Sequence, residues 1–220
     1  MGQTRDIKMQ EKRQKLVECA LVLFSEKGYI NTPVRDIINM SGYGTGTFYK
    51  YFNNKEDILK TLLEDLFEQI VDSVNDYFAH ESDLYKRFIE TKRVIVEVYA
   101  RNEKLSEIYS RVAGINESID QCLKEFDDKF LNFTSKNIEY GIKNGNFRNL
   151  PILPIAHSTL AIIKYAVYKW VVTKEIGKEE MSDMVISFNQ SLSIGLVKRS
   201  YLEKNMLPGQ YREVFKEELS

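Results

Sequence analysis

The stretch SGYGTGTFYKYFNNKEDI, residues 41–58, combines three alternating glycines with a crowd of aromatic residues. Glycine gives the backbone conformational freedom, whereas bulky rings favour burial, so the two kinds of residue serve different purposes. Two interpretations compete. Either the glycines from Gly42 to Gly46 form a loop that cradles the phosphate of a nucleotide, or they allow a short helix to lie close to a nucleic-acid backbone.

The nucleotide-loop interpretation would make the chain a nucleotide-binding helical enzyme, and it meets two difficulties. A dinucleotide fingerprint needs a strand before its glycines, but the residues before Gly42 carry a helical pattern. A P-loop ends in Gly-Lys followed by Ser or Thr, whereas Gly46 is followed by Thr47 and Phe48. The interpretation stays open as an alternative, and nucleotide binding in the absence of DNA would distinguish it.

Residues 34–52 instead have the pattern of a helix, a turn and a second helix. A helical wheel at about 100° per residue places Phe48 and Phe52 on one face of a short helix beginning at residue 45. The other side then carries small, hydroxylated, basic and phenolic residues: Gly46, Thr47, Lys50 and Tyr51, flanked by Thr45 and Tyr49. Such a face suits the major groove of DNA, although a short surface helix with an ordinary polar side has the same pattern.

Helical patterns fill the rest of the chain, with no alternating strand pattern of useful length. A first helix is predicted over residues 12–27 and ends at Gly28. The second begins at Thr32-Pro33 with Thr32 as its N-cap, and Asn54 is the predicted N-cap of a long fourth helix. Further helices are predicted over residues 84–101, 104–113, 117–143, 155–175 and 179–203. The predicted fold class is all-α.

In order and spacing, these motifs resemble the DNA-binding domain of the tetracycline-repressor (TetR) family of transcriptional regulators. The run LFSEKGYINTP is followed by VRDIINMSGYGTGTFYKYFNNKEDIL, and the resemblance covers about residues 9–65. It departs from the family in the turn, where Ser41-Gly42-Tyr43-Gly44 replaces Ala-Gly-Val-Ser. Gly44 thus replaces a side-chain N-cap, which predicts a start to the next helix that is weaker by about a few tenths of a kcal/mol.

The resemblance implies a helix-turn-helix domain over residues 9–65 and a helical effector-binding and dimerisation domain over residues 66–203. Residues 204–220 form a C-terminal extension with no functional prediction. By the resemblance, the residues that face bases are Thr45, Gly46 and Thr47, and those that hold the DNA backbone are Tyr49, Lys50, Tyr51, Arg35 and Lys55. Lys55 opposes a helix dipole unless an anion compensates it. The basic segment KMQEKRQK, residues 8–15, is either a further phosphate contact or a solvated face.

A short reading helix covers only a few base pairs, so useful affinity needs two copies on a palindromic operator with half-sites about 34 Å apart. Two late apolar stripes are candidates for the interface of a homodimer: Ile155, Thr159, Ile162, Ile163 and Trp170, then Met184, Phe188, Leu192 and Gly195. The resemblance implies the same pairing, since the last two long helices of the family pair with their copies. The alternative is that both stripes face the core of their own subunit.

The resemblance also implies a small-molecule effector, and aromatic residues in the middle of the chain suggest a hydrophobic one. The candidate pocket residues are Tyr99, Tyr109, Arg111, Phe126, Phe130 and Tyr165. Aromatic residues at helical spacing also form ordinary cores, so both interpretations stay open. Effector binding is expected to tilt the long fourth helix and move two DNA-binding heads out of register, which predicts a ligand-responsive regulator that represses transcription.

Composition agrees with a DNA-binding head on an acidic body. Residues 1–60 carry ten Lys and Arg against seven Asp and Glu, whereas the remainder carries 21 against 25. No signal peptide is found, and the longest apolar stretch is too short to span a bilayer, so a cytoplasmic protein without membrane contact is predicted. Cys19 and Cys122 are expected to be buried free thiols, and no metal or cofactor motif is found. No catalytic constellation stands out, so the chain is not predicted to be an enzyme; a helical protein-interaction module is the third alternative.

Overall fold

A computed structural model describes residues 2–196 of the chain, and every regular element in this part is a helix. The helices are α1 (Gly2–Lys27), α2 (Val34–Ser41), α3 (Thr45–Tyr51), α4 (Lys55–His80), α5 (Leu84–Arg101), α6 (Glu103–Arg111), α7 (Glu117–Lys143), α8 (Ile152–Val171) and α9 (Lys178–Leu196). The predicted all-α class is confirmed. The predicted end of the last helix at residue 203 and the extension over 204–220 lie outside the described residues. Among the described helices, none is long and apolar enough to cross a membrane.

Two helices begin earlier than their sequence patterns predicted. α1 starts at Gly2 rather than near residue 12, and α8 starts at Ile152 rather than at residue 155. In α8, Pro151 occupies the N-cap position and Pro154 lies in the first turn. The first backbone N–H groups of a helix have no intrahelical partner, so a proline there loses no hydrogen bond. The pair of prolines therefore starts α8 instead of delaying it.

The caps of α1, α2 and α4 confirm two predictions and correct a third. Gly28 has φ +80 and follows α1, and the side chain of Asn54 accepts a hydrogen bond of 2.8 Å from the N–H of Asp57 at the start of α4. The N-cap residue of α2, however, is Pro33 rather than Thr32. The buried hydroxyl of Thr32 lies 2.9 Å from the carbonyl oxygen of Gly28, so it satisfies the end of α1 instead of the start of α2.

One large cluster of buried apolar side chains runs through most of the molecule. It begins with Leu16 in α1, includes Phe48 in α3 and Leu66 in α4, and reaches Val185 in α9. The cluster crosses the predicted domain boundary at residues 65 and 66, because α4 packs on both sides of it. Cys19 and Cys122 are buried free cysteines of this cluster, as predicted.

The structure divides the predicted effector-pocket residues between core and surface. Four of them are buried in the large cluster: Tyr99, Tyr109, Phe126 and Phe130. The hydroxyl of Tyr109 donates a 2.6 Å hydrogen bond to Asp127, and the ring of Tyr109 lies 5.1 Å from that of Phe126. Arg111 and Tyr165 are exposed. The buried aromatic residues thus take part in core packing, Arg111 lines a cavity between α1 and α6, and the assignment of the six residues to an effector pocket stays a prediction.

Most of the predicted dimer stripe on α8 packs into its own subunit. Four of its members face the core of their own subunit and are at most 9% exposed: Ile155, Thr159, Ile163 and Trp170. Ile162 is half-buried. On α9, the side chains of Met184, Phe188 and Leu192 are half-buried, and Gly195 is exposed. An apolar stripe at helical spacing identifies the buried side of α8, but the burying partner is the same chain.

Candidate nucleic-acid interface

The three glycines of residues 42–46 are divided between a turn and a helix. Gly42 has φ +74 and ends α2, donating its N–H to the carbonyl oxygen of Asn39. Gly44 is extended and precedes α3, which begins without a side-chain cap, as its sequence predicted. Gly46 lies inside α3. A loop that cradles a phosphate would need these amides to converge, so the geometry does not support the nucleotide-loop interpretation.

The inner side of α3 is fixed by two phenylalanines. Phe48 is completely buried, Phe52 is 3% exposed, and their ring centroids are 6.0 Å apart. Both rings belong to the large core cluster, together with side chains of α1 and α4. The orientation of α3 is therefore set by the core, and the inward face agrees with the helical-wheel prediction.

The outer side of α3 carries the residues predicted to meet DNA. Thr45, Gly46 and Lys50 are exposed, and Tyr49 is 57% exposed. Two further members of the predicted set are only half-buried: Thr47, and Tyr51, whose ring packs partly against the core. Arg35 is exposed on α2. All of these side chains are thus at least partly accessible to solvent, and their contacts with DNA remain predictions.

Gly46 has no role in packing. A Cβ added at this position would meet no atom within 4 Å, and its φ is not positive. A glycine inside a helix is nevertheless less stable than alanine by about 1 kcal/mol. The fold therefore gains nothing from Gly46, and its bare backbone offers a partner molecule a close approach.

The N-terminal part of α1 lies beside α3. The ammonium nitrogen of Lys50 is 3.4 Å from the sulfur of Met9, and that of Lys12 is 5.8 Å from the centroid of the Tyr43 ring. Both lysines are exposed. Lys12 is thus a further cation beside the turn that precedes α3, which the motifs did not indicate. The only signal in the sequence was the basic segment over residues 8–15.

Lys55 has a structural role that the sequence did not predict. Its ammonium group donates hydrogen bonds of 2.7, 3.1 and 3.3 Å to three backbone carbonyl oxygens, those of Tyr29, Thr32 and Ile30. The same nitrogen lies 4.4 Å from the centroid of the Tyr29 ring. Burial lowers the pKa of Lys55, while the neighbouring Glu56 partly raises it. These three hydrogen bonds tie α4 to the turn after α1 in the absence of DNA, and the phosphate contact of Lys55 stays a prediction.

An ion pair joins the end of α1 to the start of α2. Lys27 at the end of α1 lies 2.8 Å from Asp36 in the first turn of α2, and the hydrogen bond from Lys27 lowers the pKa of the Asp36 carboxyl. Each charge lies at the helix end that its sign favours, since the macrodipole is negative at the C-terminus of α1 and positive at the N-terminus of α2.

Comparison with known proteins decides the family. The model of the family described as bacterial regulatory proteins, tetR family, matches residues 16–62. The crystal structure of a TetR-family regulator from Syntrophomonas wolfei is 61% identical in sequence, covers 86% of this chain and 98% of that chain, and has a TM-score of 0.83. The transcriptional repressor KstR2 from Rhodococcus jostii is 30% identical over 169 residues, which are 72% of this chain and 79% of the relative. This chain belongs to the TetR family.

As a TetR-family protein, the chain is a DNA-binding transcriptional regulator, as its sequence predicted. A more distant TetR-family structure, that of FadR from Bacillus subtilis in complex with stearoyl-CoA, is 21% identical with a TM-score of 0.70. It covers 80% of this chain and 96% of that chain, and at this identity it shows the shared fold alone.

Proposed function

We propose that this protein is a homodimeric, cytoplasmic repressor that leaves a palindromic operator when a small apolar effector binds to its helical domain. The outer face of α3 carries the proposal, because exposed residues and a bare backbone lie on a helix whose inner side the core holds in place. Among the relatives, KstR2 is named a repressor and IcaR from Staphylococcus epidermidis a negative regulator. We assign no catalytic step to the chain.

On DNA, we place the first turn of α3 against base edges. Thr45 and Thr47 offer hydroxyl and methyl groups, and Gly46 allows the helix to approach the floor of the groove. The backbone phosphates then meet the remaining cations and phenols of this side: Tyr49, Lys50, Tyr51, Arg35 and, from α1, Lys12. Lys55 would join this set only after releasing the carbonyl oxygens to which it is bonded within the head.

For the dimer, we propose the outward side of α8 together with α9. Three large apolar residues of α8 are exposed: Leu153 is 62% exposed, Tyr165 53% and Tyr168 42%. They follow one another at helical spacing on the side opposite the buried stripe. On α9 we include the half-buried Met184 and Phe188, and Gly195, where an added Cβ would meet no atom within 4 Å. Pairing two copies would remove this apolar surface from water.

We divide the chain into a DNA-binding head over residues 9–65 and a helical domain over residues 66–203. Two contacts between these domains could transmit effector binding to the head. α4 carries the shared core, and α6 lies beside the end of α1 across a cavity of about 330 Å³ lined by Phe24, Tyr29, Ile108 and Arg111 among others. An effector that favours another position of α4 or α6 would change the spacing of the two heads. Full reversal of a 1:99 population needs a preference of about 5.5 kcal/mol.

The test begins with selection of duplexes from genomic DNA by the purified full-length protein. With a selected duplex, binding is then measured at several salt concentrations for the wild type and for Lys50→Ala. Loss of one phosphate contact should weaken binding and reduce the salt slope by about one. Lys104→Ala, which removes an exposed lysine of α6, is the matched control and should leave the slope unchanged. Equal slopes for wild type and Lys50→Ala would remove Lys50 from the interface.

A further inference from the structure

A cavity of about 350 Å³ lies beside the C-terminal end of α4, between α5, α7 and the loop that precedes α8. Its volume holds roughly a dozen water-sized groups, at about 30 Å³ each. The rings of Phe88 and Phe147 form a wall, with centroids 5.1 Å apart, and Phe78 of α4 contributes another aromatic side chain. Tyr140 and Lys136 of α7 are exposed and mark the mouth.

Lys92 is the unusual residue of this cavity. It is only 4% exposed and lines the cavity, and among the described residues no hydrogen bond or ion pair of its ammonium group is found. The nitrogen is not one of the fully buried polar atoms that lack a partner, so it retains some access from the cavity. The ammonium group makes a cation–π contact with Phe88, whose ring centroid lies 4.4 Å from the nitrogen. Burial lowers the pKa of Lys92 to about 8. A buried charge without a partner is costly, so an anion that enters the cavity would remove part of that cost.

The charged residues around the cavity favour an anionic ligand and limit the number of negative charges that it can carry. The described lining contains Arg87, Lys92 and Lys136 but no Asp or Glu. The guanidinium of Arg87 is already bonded to backbone carbonyl oxygens of Phe78 and Glu81. Lys136 is exposed at the mouth, so among the described lining residues Lys92 is the buried cation whose donors are not bonded to protein, which matches a single negative charge. A nucleotide or another polyanion would leave charges uncompensated against aromatic walls.

We propose that this cavity binds a small amphipathic carboxylate, whose head pairs with Lys92 and whose hydrocarbon body lies against Phe88 and Phe147. That this ligand is the effector rests on the proposed function, whereas its binding to the cavity does not. Phe78 belongs to the last turn of α4, so a ligand here touches the helix that continues into the core of the head. Occupancy can then favour one position of α4 over another.

Octanoate is the probe, and octan-1-ol, with the same chain and no charge, is its control. Binding to the DNA-free full-length protein is measured by calorimetry. Because a hydrogen bond to a charged group contributes more than a neutral one, we expect octanoate to bind at least about tenfold more tightly than octan-1-ol. Lys92→Met should abolish this preference, and Lys92→Gln, which keeps a polar group but not the charge, should do the same. Lys104→Met on the surface of α6 should retain it.

A wild type that binds octanoate no better than octan-1-ol would overturn the proposal, as would a Lys92→Met protein with an unchanged preference. Release of a selected duplex by octanoate is measured separately. If the wild type binds octanoate through Lys92 but binds no duplex, the carboxylate site stands and the proposed function fails. If the duplex is bound and octanoate is not, the proposed function stands and this site fails.

Discussion

The outer face of α3 and the inner face of α5 each contain a residue that lowers the stability of the fold. On α3 it is Gly46, a glycine in an exposed helix with open space around it. On α5 it is Lys92, a buried cation in a cavity wall for which the described part of the chain supplies no carboxylate partner. Neither residue is explained by packing. A glycine in a helix costs about 1 kcal/mol, whereas burying a charge without a partner costs considerably more.

The difference between the two regions follows from where their partners approach. A partner of α3 comes from the solvent, so leaving out a side chain is enough to let it come close. A partner of the cavity must enter the protein interior, where only a charge that is already buried can select it. Recognition at the surface therefore lowers the stability of the fold only slightly, whereas recognition in the interior lowers it more. Four substitutions test this comparison.

The largest effect is expected on the inner side of α3. Phe48→Ala should lower the free energy of unfolding by about 3–5 kcal/mol, because it empties a fully buried aromatic position. Tyr49→Ala, one residue away but 57% exposed, should change it by less than about 0.5 kcal/mol. Chemical denaturation of both variants measures the contrast. Similar losses at the two positions would mean that α3 is not held by its inner side.

The next effect concerns Lys92 and depends on pH. Burial lowers the pKa of Lys92 from 10.5 to about 8, so between these values the unfolded chain binds more protons than the folded one. Stability should therefore rise with pH through this window, and the penalty below pH 8 is about 3 kcal/mol, at about 1.4 kcal/mol per pKa unit. Lys92→Met should be more stable than the wild type by up to this amount at pH 7, and the gain should fade towards pH 10.5.

Denaturation at several pH values checks this prediction, with Lys104→Met as the control for loss of a surface charge. The other charged side chains of the cavity, Arg87 and Lys136, remain in both proteins. A Lys92→Met protein that is less stable than the wild type at pH 7 would show that the ammonium group has a favourable partner. Lys92 of α5 would then not lower the stability of the fold more than Gly46 of α3 does.

A smaller effect is expected at Gly46. Gly46→Ala should stabilise the protein by about 1 kcal/mol, because alanine favours helix and its methyl group meets nothing. The same variant should bind a selected duplex more weakly, since the methyl group projects towards the groove. Gly141→Ala is the matched comparison: ring carbons of Phe147 lie 2.2 to 2.9 Å from the position of its added Cβ, so it should destabilise. Unfolding and duplex binding are measured for both.

The smallest effect is expected at Gly44. This residue precedes α3 in an extended conformation, and a Cβ there would meet no atom within 4 Å. Gly44→Ser should supply the missing side-chain cap and stabilise the head by about a few tenths of a kcal/mol. Thermal unfolding measures the gain. A loss of stability instead would mean that the turn after α2 needs glycine for a reason other than the cap.

The sequence predicted the head well because the signals there are local. Gly28 and Asn54 mark helix ends through their own backbone and side chain, and Phe48 is identified by its position on a single turn. Thr32 shows the limit. Threonine before Pro33 has the pattern of an N-cap, but its hydroxyl bonds to the preceding helix, which only the tertiary fold reveals.

The site in the helical domain was harder to predict because helical spacing does not name the packing partner. Most of the α8 stripe, a candidate interface in the sequence, packs into its own chain, which was the alternative that the spacing left open. Lys92 was overlooked, although the sequence does contain a signal. It follows Phe88 by four residues and precedes Ile95 by three, so it lies on the apolar side of α5. A lysine in such a stripe indicates either a buried charge or a binding site.

The core that passes without interruption from α1 through α4 to α9 has a practical consequence. Leu66, Ile70 and Val74 of α4 are completely buried in the shared cluster, so a cut after residue 65 would remove most of the helix that supports the reading head. The recognition element of this protein is consequently not a portable module. Transferring its DNA specificity to another protein means substituting single side chains of α3 into a helix that the core of the host already holds in place.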